Sequence, residues 1–231
     1  TLSNNTAGNW GGAISIPYGG TAAIDGSTFV GHSSNEGGAI QMQSWYGGSV
    51  VFNLTNSTLT GNSDNNHYAS AISVVRNGDV SSGVTVNLTN VTIANNATSP
   101  SAVRTYDYVG GGGSGSLSLV TTGSAYSNPL DVNDLSGQEM TGAYNLLSDG
   151  GSNAPHLTTP ILNTDPQLGA LADNGGPTQT MLPGYTSAAV DAQPAAACAL
   201  TTDQRGQPRP QNRACDMGAV ELDRIFANGF E

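Results

Sequence analysis

The chain has 231 residues, of which 31 are Gly, only 6% are aromatic and 10% charged, and its formal net charge is -11. Six Arg and no Lys could not neutralise a run of phosphates, which excludes nucleic acid as a partner. No apolar stretch approaches the roughly 20 residues of a membrane-spanning helix, and the length allows one elongated domain with a smaller one attached.

A four-residue phrase returns along the first half: Gly11-Gly12-Ala13-Ile14, Gly37-Gly38-Ala39-Ile40, Ala69-Ser70-Ala71-Ile72 and a faded Pro100-Ser101-Ala102-Val103. Leu2, Phe29, Leu59 and Ile93 form a second series, and Ile24, Leu54, Leu88 and Leu119 a third. Units of about thirty residues cannot bury their own apolar face and must stack. Each unit offers three short segments that alternate apolar residues with Ser, Thr or Asn, as in Val86-Asn87-Leu88-Thr89-Asn90. Such segments read as strands, because the composition is poor in helix formers and lacks a 3.6 period. The expected fold is all-β: a right-handed, single-stranded parallel β-helix with three strands per coil and four to five coils over residues 1–142. Each series becomes a core column with about 4.8 Å between neighbouring strands.

The step from the third series to the first is five residues at 24 to 29, 54 to 59 and 88 to 93, so that corner is tight. The other two corners vary in length, and variable loops on a repeat scaffold are where recognition sits. Three residues after the first series come Asn5, His32, Asn62 and Asn96, read as a corner column in which Asn accepts left-handed geometry. The second-to-third corner carries Tyr18, Trp45, Tyr46, Arg76, Tyr106 and Tyr108. Stacked, these aromatics would form a stripe. Either they cover loop backbone, or they offer a surface for sugar rings or another subunit.

Catalysis finds little support. Residues 1–142 hold eight acids and two Arg, scattered over different corners. Only Asp79 and Asp107, in equivalent loops of adjacent coils, could face each other as a glycosidase pair does. No metal-ligand cluster, phosphate loop or nucleophile elbow is present, so no metal or cofactor is expected. Cys198 and Cys215 bracket sixteen Pro-rich and polar residues. A disulfide there would contribute roughly 3 kcal/mol in the chain-entropy model and would suit an oxidising compartment.

Near residue 143 the composition changes. Asp165-Pro166-Gln167-Leu168-Gly169, Leu171-Ala172-Asp173-Asn174-Gly175-Gly176-Pro177, Leu182-Pro183-Gly184, Thr202-Asp203-Gln204-Arg205-Gly206 and Cys215-Asp216-Met217-Gly218-Ala219-Val220-Glu221 follow in order. This succession resembles the choice-of-anchor Q domain at the C-terminal end of many bacterial secreted β-helix proteins, over roughly 143–222. The repeats themselves resemble those of bacterial polymorphic outer-membrane and adhesin-like β-helices. Physically, the segment reads as a plug for an open solenoid end, with Asp203–Arg205 or Asp216–Arg209 as internal ion pairs. Residues 223–231 resemble the short tails of some gammaproteobacterial secreted proteins and offer Ile225, Phe226 and Phe230 as a detachable apolar strand, or as a last strand folding back.

These readings imply a non-enzymatic structural or adhesive protein, secreted or at the cell surface. Carbohydrate binding, or action on a polysaccharide, is the alternative. Thr1 opens within a coil, as in a mature or trimmed form. The exposed first rung, with Leu2 and Ile14, could receive the tail of a second copy head to tail and build a filament.

Overall fold

The computed structural model of the protein describes residues 1–45, 48–77, 81–97, 101–108, 115–135 and 139–223; Tyr46, Asp79, Ile225, Phe226 and Phe230 lie outside them. Three parallel sheets run side by side. The first contains Leu2–Ser3, Thr28–Val30, Thr58–Thr60, Thr92–Ala94, Ala125–Ser127 and Leu146–Leu147. The second contains Ile14–Ile16, Ile40–Ser44, Ile72–Arg76, Val103–Asp107 and Val132–Asp134. The third contains Gly20–Asp25, Ser49–Thr55, Gly83–Thr89, Leu117–Thr122, Met140–Ala143 and Leu157–Thr158. The chain visits the three in rotation, which makes a parallel β-helix with three strands per coil.

The repeated apolar residues lie over one another. Leu2 pairs with Phe29, Phe29 with Leu59, Leu59 with Ile93 and Ile93 with Tyr126. Ile14, Ile40, Ile72 and Val103 form the second column, which continues to Val132. Phe29, Ile40, Leu54, Leu59, Ile72, Leu88 and Ile93 are fully buried in one continuous core. Each such burial stabilises by roughly 1.5–3 kcal/mol, so the stack supplies the cohesion that no single coil could.

One member of the third column differs from expectation. Ile24, Leu54 and Leu88 stack as read, but Leu88 pairs with Thr121, whereas Leu119 lies over Val86. Thr121 is fully buried, and its hydroxyl is satisfied by the Tyr126 hydroxyl at 2.6 Å and by Asn145 Oδ1 at 3.1 Å. The five-residue step therefore persists, since 126 minus 121 is again five.

Local chemistry explains the corners. After the third sheet the chain turns through Gly26, Asn56, Asn90, Gly123 and Tyr144, all with φ between 42° and 61°. Gly and Asn tolerate this left-handed region best. After the first sheet the left-handed residues are Asn4, Gly31, Gly61 and Asn95, one position before the column that the sequence suggested for them. That column is instead a buried amide ladder. His32 N donates to Asn62 Oδ1, Asn62 N to Asn96 Oδ1 and Asn96 N to Asn128 Oδ1 at 2.9 to 3.1 Å. The phrase Gly-Gly-Ala-Ile reflects close backbone approach. A Cβ on Gly38 would meet the Ser70 carbonyl oxygen at 2.1 Å.

Pairing continues beyond residue 142, because Leu146–Leu147 adds to the first sheet and Leu157–Thr158 to the third. From Asp165 the chain becomes irregular, with short antiparallel contacts such as Ala172 with Thr180 and Gln193–Pro194 with Ala214–Cys215. The contacts described for this segment run along the flank of the solenoid, where the sequence suggested an end plug. Thr178 and Gln204 bond Gly26, Ser27, Thr28 and Thr58, while Ala219 bonds Thr92 and Gly218 bonds Gly123. It thus roofs the outward Thr28–Thr58–Thr92 row of the first sheet, whose members are buried.

Cys198 and Cys215 are joined, with Cα atoms 5.9 Å apart. Arg205 pairs with Asp203 at 2.9 Å as expected. Arg209, however, pairs with Glu221 at 2.8 Å and reaches Asp216 only through its backbone carbonyl. The Asp216 carboxylate is already held by the amides of Asp191 and Leu222.

Candidate functional site

The three sheets have different exteriors. The first lies under the C-terminal segment. The third alternates buried with partly exposed positions, as in Val84, Val86 and Leu88 against Thr85, Asn87 and Thr89. On the second, the positions that point outward by alternation are Gln41 and Gln43, Ser73 and Val75, then Arg104 and Tyr106. All but Tyr106 are buried, because the first-to-second corners fold over them.

Glu36 and Tyr68 come from those corners. Ser73 Oγ donates to Glu36 Oε1 at 2.9 Å. Asp64 fixes the second corner by accepting the Tyr68 and Ala69 amides. Beside them, Ser15 donates to Gln41 Oε1 at 3.0 Å and Gln41 Nε2 to Gln43 Oε1 at 2.7 Å, a polar row across successive coils.

Arg104 sits at the centre of this face. Its guanidinium carbon lies 4.6 Å from the Tyr68 ring centroid and 5.0 Å from that of Tyr106, within cation–π range. The residue is 8% exposed, yet among the described residues the guanidinium has no hydrogen-bonded or ion-paired partner. Tyr106 packs edge-on against Tyr108 with centroids 4.1 Å apart, and Tyr108 is 56% exposed. Burial pushes the Glu36 carboxyl pKa up, against the Ser73 hydrogen bond and the charge of Arg104. The Tyr108 hydroxyl pKa is also raised, chiefly by burial, with Arg104 opposing.

Of the aromatic residues singled out in the sequence, the structure brings Tyr106 and Tyr108 together. Tyr18, 60% exposed, and half-buried Trp45 stand at the corresponding corners of the first two coils, with the Arg76 coil between them and Tyr106. Arg76 forms a 3.1 Å ion pair with Asp107 and donates to the Gly115 carbonyl, so Asp107 is engaged structurally. Leu2 and Ile14 are partly buried against the core, in strands that end their sheets.

Tyr68, Arg104, Glu36 and the glutamine row were missed as a group. Arg104 and Tyr106, two apart on a strand whose other face is apolar, were legible as outward neighbours. Tyr68 was not, because its corner has no fixed length. Elsewhere, a cavity of about 320 Å³ in the C-terminal segment is lined by Leu182, Tyr185, Arg205 and Leu222. Its cation is committed to Asp203 and the Glu221 carbonyl. The described residues hold no cluster of three or more metal-ligating side chains and no helix long and apolar enough to cross a membrane. The chain matches no family model, no curated protein and no solved structure.

Proposed function

We propose that the protein is an extracellular, adhesive β-helix module that binds glycan through the exterior of its second sheet. The observation that carries this reading is the exposed Tyr108 ring backed by Tyr106, with Arg104 stacked between Tyr106 and Tyr68 beside it. Aromatic faces flanked by guanidinium and phenol hydroxyl groups suit sugar rings, which present apolar C–H faces and hydroxyl edges. Placement on paired strands favours pre-organised binding, since the platform is held by the solenoid core.

The disulfide supports an oxidising location, and the resemblance of residues 143–222 to choice-of-anchor Q domains points to the cell exterior. A glycan array comparing the wild-type protein with a Tyr106→Ala/Tyr108→Ala variant tests the proposal. The expected result is saccharide binding by the first and its loss in the second, with the fold retained by circular dichroism. Equal binding by both, or none by the wild type, refutes it.

A further inference from the structure

Arg104 sets a problem of its own. A guanidinium is charged at every accessible pH and carries five N–H donors in a planar fork. Its stem is packed away and its plane is stacked on two tyrosines, while its nitrogens stay in contact with water and keep their donors open. The usual partner for such a cation is a neighbouring carboxylate. Glu36 is near enough to be felt electrostatically, yet no ion pair forms, and its Oε1 accepts from Ser73 instead. Arg76, on the adjacent strand one coil earlier, shows the contrast, because it is paired with Asp107 and a backbone carbonyl.

We infer that Arg104 is the anchor for a carboxylate on the ligand, so that the glycan recognised on this face is an acidic sugar of the uronate or sialate type. This rests on the glycan-binding reading and narrows its ligand class. The planar fork matches the two oxygens of a carboxylate. Tyr68 and Tyr106 hold the guanidinium plane in place, while Tyr108, just past the end of the strand and packed on Tyr106, receives the face of the sugar ring. Glu36, hydrogen-bonded to Ser73, leaves the anion position to the ligand.

The test uses calorimetric titration of the full chain with tetragalacturonate, a glucuronate tetramer and a sialylated trisaccharide, each beside its carboxyl methyl ester. At least one acid should bind, and its ester should bind about ten- to hundred-fold more weakly, as loss of a charge-assisted pair implies. Arg104→Gln should reproduce that loss, and Arg104→Lys should recover only part of it because the fork is gone. Comparing acid with ester on the unaltered protein keeps the test decisive even if Arg104→Gln misfolds. Equal binding of acid and ester, abolished by Tyr108→Ala, would overturn the carboxylate anchor and leave the glycan site standing. Stronger binding of a sulfated neutral oligosaccharide than of any carboxylate would also overturn it. No binding of any probe would remove this inference, and a blank glycan array would remove the broader reading with it.

Discussion

The Tyr126 hydroxyl and Thr121 Oγ1 meet at 2.6 Å inside the solenoid, where the preceding coils place Leu88, Leu54 and Ile24 in the same column. A polar residue in an apolar column is tolerated here because the large side chain five residues on brings its own hydroxyl to it. Burial accordingly raises the Tyr126 pKa well above that of a free phenol.

Removing one side of this pair should therefore be worse than removing both. Thr121→Val leaves the Tyr126 hydroxyl buried without its described partner and is expected to cost about 1–3 kcal/mol. Thr121→Val combined with Tyr126→Phe should recover much of that loss. Urea unfolding of the four proteins in a double-mutant cycle measures the coupling, and strict additivity would show the pair to be energetically idle.

His32 interrupts an amide ladder that is otherwise asparagine from Asn62 to Asn128. Its Nδ1 accepts the Asn5 amide at 3.1 Å, which requires the neutral ring, and burial lowers its pKa from 6.5. The unfolded chain then binds more protons than the folded one, so this contribution is lost as pH falls below about 6.5. His32→Asn is expected to keep the Asn5 bond through Oδ1 and flatten the acid limb of Tm against pH. It should stabilise at pH 5 by about 1 kcal/mol, the value of one buried hydrogen bond. An unchanged acid limb would contradict the assignment.

Asp216 works in the opposite direction. Burial, with Glu221 nearby, raises its pKa to about 7 from 3.8. Between these values the folded state binds more protons than the unfolded one, so the Asp216 contribution to stability falls as pH rises across that window. Asp216→Asn should remove that slope, as read from Tm between pH 4 and pH 7. A steeper decline in the variant would contradict this account.

Gln204 fastens the C-terminal segment to the solenoid. Its Oε1 accepts from Thr58 Oγ1 at 2.7 Å, and its Nε2 donates to Thr28 Oγ1 and Thr178 Oγ1 at 3.0 Å. Gln204→Ala should lower the local opening energy there by about 2 kcal/mol, the sum of two or three such bonds. Hydrogen exchange should quicken around residues 178–180 and 203–207 while core strands such as Ile72–Arg76 stay protected. Unchanged exchange near Gln204 would mean that the flank is held by other contacts.

The solenoid was legible because stacking repeats one physical constraint in every coil. Ile14, Ile40 and Ile72 must be apolar for the same reason, and the five-residue corner must return at the same step. That second regularity places Thr121 five residues ahead of Tyr126, but the hydrophobicity of Leu119 drew the column there instead. The amide ladder was visible as a row of Asn, whereas its direction of bonding was not, because left-handed turns and buried ladders both favour Asn. Least legible was the binding face. Arg104 and Tyr106 share a strand, but Glu36 and Tyr68 reach it from corners whose lengths vary, so only folded geometry brings them together. The flank position of the C-terminal segment likewise depends on Gln204 and Gly218 meeting residues more than ninety positions away.

The most direct test of this account is a crystal structure of the protein with an acidic oligosaccharide that it binds in solution. A sugar ring should lie against Tyr108 on the second sheet, with a carboxylate about 3 Å from the Arg104 nitrogens. A ligand seated on the third sheet, or in the cavity between Tyr185 and Arg205 with the Arg104 face empty, would contradict it.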